Sequence, residues 1–249
     1  AMQNGMTPCT TVRNVQHSYG GWTPRNGSHA RYGQQVPLKW ALQHSNNWIS
    51  ASLITTLGPQ QFVGILHDFG LNNPDIDRNA TPVLSLGPCE VSVGEMVSAY
   101  RAFANGGVRC APLFVTKIED SHGNVIAKFQ PLMTEVISED NSYRMIDMMR
   151  AVIDGGTGSR LKGAYGMKGD ICGKTGTTNS NSDGWFIAFT PELVSGAWVG
   201  GEDRDIHFDS TSLGQGAAAA LPIWAYFMKK VYADHQLSLI HISEPTRRS

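Results

Sequence analysis

The sequence has 249 residues, 41% of them hydrophobic and 16% charged, and its formal net charge is -1. These values are typical of a globular chain that can bury a sizeable core, and the near-neutral charge argues against a nucleic-acid partner. No apolar segment reaches the roughly 18 residues of a membrane span, and the first residues lack the basic and apolar pattern of a secretory signal.

The first half of the chain is predicted to be mainly helical. Ala1 to Asn4 resembles the last turn of a helix that stops at Gly5, so we expect the chain to begin inside an element. From Val36 to Leu57, apolar residues recur with a helical period that is interrupted near His44 and Ser45. Two further helices follow, and they are predicted over Gln60 to Phe69, before Gly70, and over Val93 to Ala104, before Asn105-Gly106-Gly107.

The second half is predicted to be richer in strands. A hairpin is expected from Phe114 to Glu119 and Val125 to Phe129, followed by a helix over Glu139 to Ile153, capped by Ser138. The inward face of that helix is expected to hold Tyr143, Ile146, Met149, Val152 and Ile153. Strands are predicted over Ile171 to Thr175, Trp185 to Thr190 and Val194 to Gly200, and a last helix over Ala217 to Ala233. Helices packed on one antiparallel sheet give an α+β fold class.

The last residues do not fit this pattern. Leu237 to Ser249 has no apolar periodicity and resembles the translation of a sequencing-library adapter. We therefore expect one domain over residues 1–236 and a non-native, loosely packed tail over 237–249.

The four cysteines and eight histidines give no metal-ligand spacing. Cys9, Cys89, Cys110 and Cys172 form no Cys-x-x-Cys pair, and the histidines form no His-x-x-x-His pattern. We expect no metal and no cofactor. The cysteines are interpreted as small buried hydrophobic residues, while a disulfide stays open because sequence cannot pair them.

One lysine stands between two glycines in Gly173-Lys174-Thr175-Gly176-Thr177. A phosphate-binding loop would need a glycine five residues before Gly173, and that position is Lys168. The polar turn residues that follow lead into a strand and not into a helix. The sequence therefore argues against a nucleotide site and predicts that Lys174 lies on a strand, where it meets another anion.

A polar cluster, Ser45-Asn46-Asn47, lies at the interruption of the first helical segment. Taken alone, it predicts only a cap between two short helices. In combination with Lys174-Thr175-Gly176 downstream, it matches the second and third motifs of a known acyl-transfer constellation, Ser-x-Asn and Lys-Thr-Gly.

With these motifs in this order, the sequence resembles the transpeptidase domain of penicillin-binding proteins, most closely the bifunctional class A enzymes. The resemblance extends to about Asp234. Its further motifs are Gly20 to Asn26, Val83 to Gly87, Glu90 to Ser92, Ala99-Tyr100, Phe103 to Gly107 and Gly155 to Gly158. It implies the fold shared by penicillin-binding proteins and serine β-lactamases. No glutamate is followed by the Glu-x-x-Leu-Asn pattern of class A β-lactamases, which favours a transpeptidase.

The resemblance implies a role for each motif residue in peptidoglycan cross-linking. Lys174 supplies the cation for the substrate carboxylate, which Thr175 and Thr177 also bind, and the backbone N–H of Thr177 donates to the oxyanion. Gly176 lets the substrate lie against the strand edge. Ser45 passes a proton to the leaving amine and Asn47 holds the substrate amide, while Asn46 is expected at the surface. The predicted catalytic residues are thus Ser45, Asn47 and Lys174, and their side chains should converge.

The nucleophile of the family is the serine of Ser-x-x-Lys, which precedes Ser-x-Asn. No such motif precedes Ser45, and the only Ser-x-x-Lys is Ser159 to Lys162, which is out of order. We therefore expect a chain truncated at the N-terminus, just past its own active serine.

The resemblance also implies partners and a location. The expected partners are D-Ala-D-Ala stem peptides of peptidoglycan and β-lactams, with no nucleic acid and with a membrane only through a missing N-terminal anchor. The expected location is the periplasmic side of the cell envelope. Two other hypotheses stay open, namely a scaffold domain that lost its serine and, against the glycine spacing, a nucleotide-binding protein.

Overall fold

The structure is a computed structural model that describes residues 1–234 and Leu237. The helices are α1 (Leu38–Gln43), α2 (Asn47–Leu57), α3 (Pro59–Asp68), α4 (Pro74–Arg78), α5 (Val93–Ala104), α6 (Glu139–Gly155), α7 (Arg160–Gly163), α8 (Thr211–Gly214) and α9 (Gly216–Ala233), with 3-10 turns at Met2–Asn4, Pro82–Leu86 and Asn179–Asn181. The strands are β1 (Thr11–Arg13), β2 (Gln35–Pro37), β3 (Val108–Cys110), β4 (Lys117–Glu119), β5 (Val125–Lys128), β6 (Met133–Glu135), β7 (Cys172–Thr177), β8 (Asp183–Phe189) and β9 (Val194–Gly200).

The central sheet is antiparallel and has the strand order β7-β8-β9, so β7 is an edge strand. Its register places Lys174 opposite Ile187 and Gly176 opposite Trp185. Because side chains alternate between the two faces of a strand, Lys174 and Gly176 share one face and Thr175 and Thr177 the other. Smaller two-stranded ladders pair β1 with β2, β3 with β6 and β4 with β5.

Helices cover the two faces of the central sheet. On one face, the ring of Phe186 meets the ring of Trp224 from α9 in an edge contact, with 5.6 Å between the ring centroids. On the other face, Cys172 and Phe189 form a buried cluster with Met149 of α6, against which side chains of α5 also pack. The predicted α+β arrangement is confirmed, although the strands form several sheets and not one.

Most of the predicted elements lie where the sequence placed them. Helix α5 has the predicted bounds, and it begins at a capping box in which Ser92 and Glu95 bond reciprocally. The interruption between α1 and α2 lies at residues 44–46, as predicted. The turn at Met2–Asn4 ends at Gly5, whose φ of 84° is left-handed, as a helix stop requires.

The predicted inward face of α6 is wrong at one position. Tyr143 is 61% exposed, and the neighbouring Ser142 is buried in its place. The hydroxyl of Ser142 donates a 2.7 Å hydrogen bond to the carbonyl of Phe103, which satisfies its polar atom inside the core. Apolar character alone therefore predicted the wrong residue of this helical turn to face α5.

The four cysteines are free thiols, and two of them are buried as predicted. Cys110 and Cys172 lie in the interior, and burial raises the pKa of Cys172 to about 11. Cys9 is exposed, so the prediction of a buried residue is wrong there.

Two expectations concern the limits of the described chain. Within residues 1–234 and Leu237, no helix combines the length and apolarity that crossing a membrane requires. The expected tail over 237–249 and the domain boundary at residue 236 lie outside the described residues, apart from Leu237.

Candidate active site

Ser45 lies at the corner between α1 and α2 and is exposed. Its φ of 52° is left-handed, a conformation that serine adopts at a cost of about 1 kcal/mol or more. The corner is held from both sides, because the N–H of Ser45 donates to Leu42 and that of Asn46 donates to Ala41, at 3.1 and 2.9 Å. The backbone thus fixes the direction of the Cα–Cβ bond of Ser45.

Asn46 was expected at the surface, and that prediction is wrong. The residue is only 5% exposed, and its side-chain oxygen accepts from the N–H of Ile49 as the N-cap of α2. Its amide nitrogen donates at 2.9 Å to the side-chain oxygen of Asn14, which is fully buried. Asn46 therefore anchors the corner that presents Ser45.

Replacing Asn46 by alanine should destabilise the domain by about 3 kcal/mol. The change removes a helix cap, worth about 1 kcal/mol, and leaves the buried oxygen of Asn14 without its donor, which costs a further 1–3 kcal/mol. Urea unfolding of the two chains measures the difference. Ser138→Ala is the matched control, because Ser138 caps α6 from an exposed position and should lose only about 1 kcal/mol. Equal losses for the two variants would contradict the anchoring role of Asn46.

Lys174 extends from the edge strand β7 to the corner that holds Ser45. Its Nζ donates to Ser45 Oγ at 2.8 Å and to the carbonyl of Thr175 at 2.9 Å. The ion pairs recorded within residues 1–234 and Leu237 do not include Lys174, so no carboxylate of this part of the chain neutralises the ammonium. Burial lowers the pKa of Lys174 to about 8, because desolvation disfavours the charged form. The site thus presents a poorly solvated cation beside an exposed hydroxyl.

The lowered pKa should be visible in the reactivity of Lys174. Only the neutral amine is acylated, so the rate of labelling by acetic anhydride should rise with pH to a midpoint near 8. Competitive labelling of the folded 249-residue chain, followed by peptide mapping, measures this midpoint. The same peptide labelled in the unfolded chain is the control, and there the midpoint should return towards 10.5, the ordinary value. A folded-state midpoint near 10.5 would contradict the desolvated environment.

A glycine-rich turn after α6 joins the corner to the strand. The N–H of Thr157 donates to the carbonyl of Gln43, the last residue of α1, at 3.2 Å. Its hydroxyl forms a 2.6 Å hydrogen bond with the hydroxyl of Thr175 on β7. Gly156 allows this approach, because a Cβ there would collide with the Gln43 carbonyl. In the sequence, Thr157 appeared only within the motif Gly155 to Gly158. Its position between two glycines was the one sequence signal that it links α1 to β7.

The hydroxyls of Thr175 and Thr177 already have partners in the protein. Thr175 is buried against Thr157, and Thr177 Oγ1 accepts at 3.0 Å from the N–H of Gly216, where α9 begins. Gly176 was predicted to make room for substrate. In the structure, the atoms that come close to Gly176 belong to Trp185. A Cβ on Gly176 would lie 3.0 Å from the Cβ of Trp185, so the glycine gives space to that tryptophan.

Asn47 forms hydrogen bonds with the loop that contains Arg25 and Asn26. Its side-chain nitrogen donates to the carbonyl of Arg25 at 2.7 Å, and its N–H donates to the side chain of Asn26 at 2.7 Å. The structure thus brings Ser45 and Lys174 into contact and ties Asn47 to the neighbouring loop. In the out-of-order Ser-x-x-Lys, the ammonium of Lys162 bonds Asp154 at 2.6 Å. Lys162 is therefore engaged away from Ser159.

Protein families and solved structures match this chain over most of its length. The family model described as the penicillin-binding protein transpeptidase domain matches residues 1–199. Penicillin-binding protein 1A of Aquifex aeolicus is 34% identical over 240 residues, which cover 93% of this chain and 31% of that protein. The Neisseria lactamica protein of the same name is 32% identical and is covered over 29% of its length. The chain thus spans about a third of these relatives.

The fold is also found in solved structures. The crystal structure of penicillin-binding protein 1A from Haemophilus influenzae aligns with a TM-score of 0.79 at 27% identity, over 93% of this chain and 40% of that one. Penicillin-binding protein A of Mycobacterium tuberculosis, solved as an imipenem acyl-enzyme complex, aligns with a TM-score of 0.73 at 20% identity, over 92% of this chain and 56% of that one. These matches confirm the predicted fold and the resemblance to class A proteins. The chain belongs to the family of penicillin-binding protein transpeptidase domains.

Proposed function

We propose that this chain is part of the transpeptidase domain of a peptidoglycan D,D-transpeptidase, which transfers the acyl group of a D-Ala-D-Ala stem peptide to an amine. One observation carries the proposal: Lys174 Nζ lies 2.8 Å from Ser45 Oγ, although the two residues come from opposite halves of the chain. A cation with no recorded ion pair among the described residues, next to an exposed hydroxyl, fits a substrate that carries a carboxylate close to the bond to be broken.

Each residue then has a chemical task. Lys174 binds the terminal carboxylate of the donor, and its contact with Ser45 orients the hydroxyl that delivers a proton to the leaving D-alanine amine. Thr175 and Gly176 build the edge strand on which the donor peptide lies, and the backbone N–H of Thr177 donates to the oxyanion. Asn47 positions the donor amide from the Arg25 side of the corner.

The nucleophile is a serine of a Ser-x-x-Lys motif outside these 249 residues. Support comes from the order of the motifs and from Lys162, whose ammonium bonds Asp154. In the first step, the serine oxygen forms an ester with the donor carbonyl, the peptide bond breaks, and the proton leaves with D-alanine. In the second step, an acceptor amine takes the acyl group and the serine is regenerated. The 249 residues alone would be inactive.

The same chemistry defines the partners and the location. β-Lactams combine a carboxylate with a strained amide, so they would bind at Lys174 and acylate the same serine in the longer protein. We place the protein at the periplasmic side of the cell envelope, where stem peptides are cross-linked, with a membrane anchor outside this chain. The proposed reaction uses no cofactor and no metal.

The release of D-alanine from a synthetic stem pentapeptide tests the proposal. A protein extended upstream through its Ser-x-x-Lys motif should release D-alanine and form a cross-linked product when an amine acceptor is present. The same protein with that serine changed to alanine is the control and should release none. An extended protein that binds the pentapeptide without releasing D-alanine would favour the scaffold hypothesis.

A further inference from the structure

The hairpin β4–β5 and the segments beside it present a large exposed apolar surface. Phe114 is 93% exposed, Leu132 69% and Ile126 67%. The hairpin region also exposes the apolar side chains of Leu113, Val115, Ile118, Val125, Phe129 and Met133. Side chains of this size and exposure present roughly 800 Å² together, whereas the largest apolar patch of a typical monomer covers about 300–600 Å². A surface of this size marks an interaction site, and the mechanism proposed above uses none of it.

The outer edge of β4 is open. In the part of the chain that the structure describes, β4 pairs with β5 alone, and residues 112–119 are all exposed. On the inner side, the N–H of Phe129 donates to the carbonyl of Thr116 at 3.0 Å. Backbone groups point alternately to the two sides of a strand, so the N–H and C=O groups of Lys117 and Glu119 point outwards. These residues therefore offer their backbone donors and acceptors to another strand.

The open edge of β4 is complementary to itself. Lys117 and Glu119 flank Ile118, and within one chain their side chains form an ion pair at 2.7 Å, with much of each side chain exposed. When two β4 strands pair antiparallel about a twofold axis at Ile118, Lys117 of each copy lies opposite Glu119 of the other. The outward backbone groups of these residues then meet, so that backbone hydrogen bonds join the strands in both directions. The edge of β4 thus matches a second copy of itself in charge and in hydrogen bonding.

The charges of the β4 edge also select one register. A lysine on an edge strand normally prevents pairing with another strand. If the axis moved by one residue, Lys117 would lie opposite Lys117 or Glu119 opposite Glu119, and like charges directly opposite one another are destabilising. The other edge of the hairpin, β5, contains Lys128 and no acidic residue, so it lacks this complementarity. Among these registers, the one centred on Ile118 places each edge lysine opposite a carboxylate.

We propose that two copies of the protein associate through the outer edges of their β4 strands, which joins the two hairpins into one four-stranded antiparallel sheet. Ile118 and Phe129 share one face of the hairpin, because Ile118 is paired with Ala127 and side chains two residues apart lie on the same face. In the joined sheet, these side chains of the two copies form a continuous apolar strip. The exposed apolar surface of each hairpin region is comparable to the roughly 800 Å² that a stable interface buries on each partner. The pairing uses no residue of the candidate active site, so it does not depend on the proposed transpeptidase function.

A disulfide across the twofold axis tests this register. Opposite residues of a non-hydrogen-bonded pair have Cα atoms about 4.5 Å apart, within the roughly 4.4–6.8 Å that a disulfide spans, and the two Ile118 residues form such a pair. The experiment uses the protein extended through its Ser-x-x-Lys motif, with Cys9→Ser to remove the exposed native thiol. Under mild oxidation, Ile118→Cys should give about tenfold more disulfide-linked dimer on a non-reducing gel than Ile126→Cys gives. Ile126 is the matched control, because it is more exposed than Ile118 but lies on β5.

A charge swap tests the same pairing without a new thiol. Sedimentation equilibrium of the extended protein should show a monomer–dimer equilibrium. Lys117→Glu replaces the attraction to Glu119 of the second copy by repulsion and should raise the dissociation constant of the dimer about tenfold, and Glu119→Lys should do the same. The variant that carries both changes exchanges the two charges and restores their complementarity. Its dissociation constant should return to within about twofold of the original value.

Equal amounts of disulfide-linked dimer from Ile118→Cys and Ile126→Cys would overturn the pairing. A folded protein that stays monomeric at every concentration would also overturn it, and would leave the apolar surface to another segment of the longer protein or to a different partner. A dimer whose dissociation constant does not respond to the charge changes would place the interface elsewhere and overturn the role of β4. Thermal unfolding of each variant checks that the changes leave the fold intact.

Discussion

After incubation with benzylpenicillin, the 249-residue chain should show no added mass, while the chain extended through a Ser-x-x-Lys motif should gain the mass of one penicillin. A β-lactam ring opens onto an activated nucleophile, and Ser45 and Lys174 can orient the ring without replacing that nucleophile. Loss of the nucleophile reduces catalysis about a millionfold in serine enzymes. After an hour, the adduct should therefore be complete on the extended chain and absent from the 249-residue chain. Intact-mass spectrometry measures it directly.

Peptide mapping gives this first prediction its control. In the extended chain, the adduct should lie on the serine of Ser-x-x-Lys and disappear when that serine is changed to alanine. An adduct on the 249-residue chain, mapped to Ser45 or Ser159, would contradict the assignment of the nucleophile. No adduct on a folded extended chain would favour the hypothesis of a scaffold without catalytic activity.

Replacement of Lys174 by alanine should lower the acylation constant of the extended protein about 100- to 1000-fold. The ammonium donates to Ser45 Oγ and carries no recorded ion pair in the described part of the chain. Losing one such preorganised donor typically has this effect. The carboxylate of the ligand would then lose the counter-charge that Lys174 supplies. Rates of acylation by benzylpenicillin measure the loss, and Lys162→Ala, which removes an ammonium bonded to Asp154, is the control.

The pH dependence of the acylation rate gives a second test of Lys174. Because burial lowers the pKa of Lys174 to about 8, its ammonium is present below pH 8 and is lost as the pH rises through that value. Carboxylate binding, and with it acylation, should therefore fall above pH 8. In Lys174→Arg the charge persists, so the alkaline decline should move upwards even if the rate is lower throughout. An unchanged alkaline limb would contradict the role of Lys174 as the carboxylate-binding cation.

The elements that could be predicted from the sequence are those whose ends are chemically marked. Helix α5 begins at the Ser92 and Glu95 capping box and ends before Asn105-Gly106-Gly107, and its predicted bounds are confirmed. The ladders β1–β2 and β3–β6 were missed because each strand has three residues, too few for a period of two to appear. Their pairing depends on contacts between distant segments.

The candidate site was predicted from the order of its motifs. The hydrogen bonds that hold its residues in place were not predicted. The contact between Ser45 and Lys174 follows from two short motifs, whereas the burial of Asn46 depends on Asn14, which no local pattern connects to it. A polar residue at a helix start resembles a surface cap whether or not another element covers it. The tie from Thr157 to Thr175 is likewise a product of tertiary packing and has no signature in either motif.

The contact between Lys174 and Ser45 also determines when the site can first exist during translation. The two residues are 129 positions apart, and at about 5–20 residues per second the ribosome adds Lys174 about 6 to 26 s after Ser45. β7 acquires its sheet only when β8 and β9 follow, through Gly200. The contact between Ser45 and Lys174 therefore forms only after the last third of the chain has begun to emerge. Long-range pairing of this kind is slow, and the site is assembled among the last features of the fold.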